Sequence, residues 1–143
     1  MPAVEPGTAA ATGRRDVVAP LILIFAAIEL ATGAWMLIAP GSFFDNVGPF
    51  GSSNPHYTRD AGTFTLSLGL VLAIAYVRPG WRLGAVGYAF FQFLFHSVNH
   101  LVDIDKAHPH RYGPLDFASL AVGAAVLGWL LLQVLRQRGE GEP

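Results

Sequence analysis

The stretch FFQFLFHSVNHLVDID, Phe90 to Asp105, begins as sequence apolar enough for a bilayer and then fills with histidines, an asparagine and two aspartates. Polar groups are costly in hydrocarbon. Those that occur on a spanning helix turn to the bundle interior or a wet cavity and mark function by default. At helical periodicity Gln92, His96, Asn99, His100 and Asp103 form one stripe, bordered by Phe90, Phe91, Phe93 and Phe95. Water beyond a helix end accounts for Asp105 and for Asp103. It does not account for His96 or Gln92, which should lie roughly one to two turns below the membrane surface.

Composition agrees with a membrane chain. Of 143 residues, 52% are hydrophobic and 13% charged, with a mean hydropathy of +0.44; a soluble domain carries about a quarter charged residues. The net charge of −1 supplies no basic field for nucleic acid. There is no cysteine, which excludes disulfides, thiol redox chemistry, iron–sulfur clusters and zinc–thiolate sites together.

Four apolar segments follow one another: about 17–39, 55–77, 83–102 and 115–135. Each is close to the roughly 20 residues that a spanning helix requires, and none alternates with the period of a barrel strand. Breakers such as PGS and RPG separate them. The expected fold is all-α: an antiparallel bundle of four transmembrane helices over 16–136, flanked by a disordered tail at 1–15 and a short tail at 137–143. A cleaved signal peptide fits poorly, because the first apolar run is too long and no small-x-small site follows it. Arg14, Arg15, Arg78, Arg82, Arg136 and Arg138 fall on one side of this topology, against Arg59, Lys106 and Arg111 on the other. The positive-inside rule then puts both termini in the cytoplasm, in a bacterial cytoplasmic membrane.

The second segment repeats the polar theme. In NPHYTRDAGTFTLS, Asn54 or Ser53 is placed to cap the helix ahead of Pro55, and His56 and Asp60 stand four apart. Arg59 points away from Asp60 and is expected to pair with Asp103 or Asp116. Glu29 lies mid-span in the first helix, roughly 18 Å from its inner end, where an isolated charge is costly. Asp116, in GPLDFAS, is placed to cap the fourth helix. Gly62 and Gly69 on the second span, and Ala121, Ala124, Ala125 and Gly128 on the fourth, are packing positions. Trp35, Trp81 and Trp129 are interfacial anchors; His108 and His110 are solvated loop residues.

Three functions stay open. His56, Asp60, His96, His100 and Asp103 form a candidate ligand set for zinc, copper, iron or manganese. Haem fits less well, since histidines at i and i+4 on one helix cannot bind its two faces. Alternatively Glu29, Arg59, Gln92, Asn99 and Asp116 join them in a pocket for a small polar molecule, a lipid head group or a quinone. Third, the polar groups are an interhelical network, and the chain is an accessory subunit of a membrane complex or a homo-oligomer; at about 0.6 kcal/mol per bond, five or more groups are excessive glue.

The segments NPHYTRDAG and HSVNHLVD resemble those of a group of small bacterial four-helix membrane proteins, similar to DoxX-type proteins in size and layout. The pattern matches Asn54, His56, Arg59, Asp60, Gly62, His96 and His100 over about residues 20 to 135. The resemblance implies the topology and a candidate site, without a reaction. It also implies a further histidine one turn after His100, where this chain has Asp103.

Overall fold

The fold, described for residues 16–139 in a computed structural model, is helical, and its only β-type contact among these residues is an isolated bridge between Phe50 and Ala107. The elements are α1 (Val18–Ile38), α2 (Pro40–Asn46), α3 (Pro55–Val77), a single 3-10 turn (Pro79–Trp81), α4 (Arg82–Val102) and α5 (Tyr112–Gly139). The tail at 1–15, with Arg14 and Arg15, and the last residues, 140–143, lie outside the described part.

Local signals explain the helix ends. Asn54 caps α3: its Oδ1 accepts from the His56 and Tyr57 amides at 3.1 and 3.3 Å, and Pro55 follows where its missing N–H costs nothing. Pro79 and Gly80 close the same helix. Asp16 starts α1, with Oδ1 accepting from the Val18 amide at 3.1 Å. The connection between α1 and α3 contains the short helix α2, launched by Pro40.

Helices α1 and α3 pack along their length, as do α4 and α5, while contacts between the two pairs are sparse. Small residues let the paired helices approach closely. At Gly69 a Cβ would stand 2.7 Å from the Leu30 backbone nitrogen; at Gly33 it would stand 2.5 Å from that of Leu66. The backbones of α1 and α3 therefore touch where only glycine fits.

The core lies toward one end. It comprises Val18, Ile22, Phe25 and Ala26 from the start of α1 and Leu68, Leu72 and Ala75 from the end of α3. Ala85, Val86, Ala89 and Phe93 from the start of α4 join them, with Ala124, Leu127, Leu130 and Val134 from the later part of α5. All four helices meet here, at the end that holds the 3-10 turn. An ion pair adds to this closure: Arg82 Nη1 donates to Asp16 Oδ2 at 3.0 Å. At the opposite end the two loops are tied, with the His108 amide donating to the Pro49 carbonyl at 3.1 Å.

Among the described residues, three helices are long and apolar enough to cross a membrane: α1, α3 and α5. The expectation of four such segments is met in length by α4, which has 21 residues, but not in apolarity. The reason is the stripe itself, since Gln92, His96, Asn99 and His100 lower the hydropathy of its second half.

Candidate functional site

Above the core the helix pairs enclose a cavity of about 840 Å³. Its base is aromatic: Phe25 of α1 meets Phe93 of α4 edge to face at 5.7 Å. Phe93 reaches that position because Gly123 of α5 lies directly behind it, where a Cβ would come within 2.6 Å of the ring. Its rim is formed by Phe43, Val47 and Phe50, from α2 and the segment after it.

Every member of the α4 stripe, Gln92, His96, Asn99, His100 and Asp103, lines this cavity. The spacing that marked them in the sequence is therefore a real face, and the cavity is what that face adjoins. His96 and His100 are one turn apart, with their Nε2 atoms 3.1 Å from each other. One nitrogen must donate and the other accept, so the contact holds a single proton and leaves each ring's Nδ1 for other partners. His100 Nδ1 is buried and has no partner. The ring of Phe50 rests edge to face on His100 at 4.8 Å and fixes its orientation from the rim.

Two further helices add polar groups. Glu29 and Thr32 from α1 face the cavity, as do Asp116 and Ser119 from α5. Glu29 is only 7% exposed, and its carboxyl has no hydrogen bond or ion pair among the described residues. Asp116 does not cap α5; it sits inside the helix, which begins at Tyr112, and its Oδ2 is buried without a partner. Asp103 is already satisfied, by Lys106 Nζ at 2.7 Å. Among the described residues Arg59 forms no ion pair with Asp103 or Asp116.

The five candidate metal ligands do not converge. His56 and Asp60 do form a pair, Nε2 to Oδ2 at 3.5 Å, but their side chains are 78% and 56% exposed and neither lines the cavity. Helix geometry gives the cause. The face of α3 that carries Gly62 and Gly69 is committed to α1, and His56 and Asp60 lie roughly 120–160° around the helix from Gly62. Ala61, Phe64 and Thr65 line the cavity in their place. Among the described residues no three His, Asp or Glu side chains are grouped so as to hold a metal ion.

Some of the lining was missed in the sequence. Phe43, Val47 and Phe50 belong to a connection that carried no helical signal. Thr32 was legible in principle, since Phe25, Glu29, Thr32 and Met36 recur at spacings of 4, 3 and 4 on one face of α1 and all four line the cavity. The arrangement as a whole is an apolar chamber with polar groups along one side: it can hydrogen-bond one end of an organic molecule while aromatic walls hold the rest. No family model, curated protein or solved structure matches this chain.

Proposed function

We propose that this protein is a four-span membrane protein that binds a small amphiphilic molecule in the cavity between its helix pairs. One observation carries this: the five polar residues of α4 and the unpartnered groups of Glu29 and Asp116 all line one chamber of about 840 Å³, within the 300–1,000 Å³ typical of small-molecule sites. In this topology α4 is the fourth span, made tolerable in the bilayer because its polar stripe turns inward. The arginine distribution supports a topology with the 3-10 turn and both termini on the cytoplasmic side of a bacterial cytoplasmic membrane, and the cavity in the outer half. The motif resemblance supports the same layout.

A small molecule accounts for the geometry better than a transition metal does. His96 and His100 bond to each other, and His56 and Asp60 stand on another surface. Both are tested on one preparation, the full chain purified in mild detergent. Mass spectrometry of an organic extract is expected to find one small molecule near one per chain, depleted in a His96→Ala/His100→Ala double variant. Finding none in the wild type, together with stoichiometric zinc, copper, iron or manganese that the variant loses, would select the metal site instead.

A second reading rests on the outer end of α3, where Tyr57 is 69% exposed beside the exposed His56–Asp60 pair. Such a polar, aromatic surface suits a membrane-protein partner. A protein that co-purifies at fixed stoichiometry and is lost on Tyr57→Ala would identify the chain as an accessory subunit.

A further inference from the structure

We infer that the cavity selects lipophilic amines: molecules with an apolar body and a cationic or strongly hydrogen-bond-donating nitrogen. This rests on the proposal that the cavity binds an amphiphile and specifies its chemistry. Three carboxyl groups line the chamber, Glu29, Asp103 and Asp116, and no lysine or arginine does. Asp103 already has Lys106. The other two have no cation: Glu29 is more than nine-tenths buried and faces the cavity, and Asp116 holds a buried oxygen without a donor.

A buried acceptor left unpaired carries its full desolvation cost, and a buried carboxylate more. A ligand that brings an N–H or an ammonium removes that cost. A fatty acid or a phosphate head group would set a negative charge beside two carboxyls with no positive side chain to offset it. The histidine pair does not reverse this: one ring places its proton between the two and the other carries its own on Nδ1, so two neutral rings bring a donor but no positive charge. Aromatic faces complete the match, since Phe25, Phe43, Phe64 and Phe93 line the chamber and a cation is attracted to such rings. Phe64, Ile28 and Val122 line the cavity and are 70%, 49% and 64% exposed. These apolar margins admit a molecule already dissolved in the bilayer.

The test uses the full chain in nanodiscs and three probes with one common ring system: 1-naphthylmethylamine, 1-naphthylmethanol and 1-naphthoate. Binding is read by equilibrium dialysis against empty nanodiscs at neutral pH. The amine is expected to bind saturably and at least about tenfold more tightly than the alcohol, with the carboxylate weaker still. In Glu29→Gln the amine-to-alcohol ratio is expected to fall toward one, with Asp116→Asn giving a second reading of the same ratio should Glu29→Gln prove unstable. Equal binding of amine and alcohol, preference for the carboxylate, or a ratio unmoved in the folded variants would overturn the amine assignment and leave the cavity as a general amphiphile site. Absence of saturable binding by all three probes would overturn both.

Discussion

Asp16 shows how one side chain serves two purposes at the closed end. It caps α1 through Oδ1 and pairs with Arg82 through Oδ2. Partial burial pushes its carboxyl pKa up, but the hydrogen bond and charge of Arg82 and the amides of Ala19 and Val18 outweigh this. The net value lies below the ordinary 3.8. A carboxyl whose pKa is lowered by folding stabilises the fold fully above its ordinary pKa, and loses that contribution as pH falls through the lower folded value. Asp16→Asn should therefore lower the thermal midpoint at neutral pH. The ion-pair part is about 0.2–1 kcal/mol, since Asp16 is 45% exposed and screened. The gap between variant and wild type should close in melts recorded below pH 3.8; a gap constant with pH would refute this account of the pair. The sequence marks Arg82 only as a charge flanking a span and gives Asp16 no role. Their pairing, 66 positions apart, depended on how α1 and α4 start side by side.

Helix existence was legible in the sequence, but helix rotation was only partly so. The expected second span, 55–77, matches α3 at both ends, because Asn54, Pro55 and the RPG breaker are local signals. The α4 stripe was equally readable, since five polar positions on one helix need no knowledge of neighbours. The direction of His56 and Asp60 was misjudged because it depends on which face of α3 meets α1. Gly62 and Gly69 mark that face by their close approach to α1. Helix α2 was hidden because seven residues among Pro, Gly, Asn and Ser give no period. The glycine contact also predicts an outcome: Gly69→Leu should force α1 and α3 apart and destabilise the protein by about 1–3 kcal/mol in detergent melts. Gly84→Ala, with open space around it, should be neutral or slightly stabilising. Equal effects at the two sites would show that backbone contact at Gly69 does not matter.

Across the whole molecule, the proposed topology sets the Phe50–Ala107 bridge and the 3-10 turn on opposite sides of the membrane. The chain has no native cysteine, so single substitutions report cleanly. Ser52→Cys and His110→Cys should react with an impermeant maleimide added to intact cells, and Gly80→Cys only after permeabilisation; all three positions are exposed. Labelling of all three from one side would rule out the four-span arrangement. A pocket and much of its polar lining were legible in the sequence, but its extent and apolar walls were not. It arises from two tight helix pairs meeting at one end only, a balance among contacts that no single segment records.

The apolar core shared by all four helices makes the chamber blind-ended. Whatever enters past Phe64 or the Phe50 rim meets the Phe25–Phe93 floor, and beneath it lies only interlocked hydrocarbon. A guest must leave by the way it came. In the proposed topology, occupancy tracks the abundance of the guest on one side of the bilayer and in its outer leaflet, and does nothing to equalise the two compartments. On the proposed binding role, the molecule is suited to be a reservoir or a gauge for its guest, and unsuited to be a conduit.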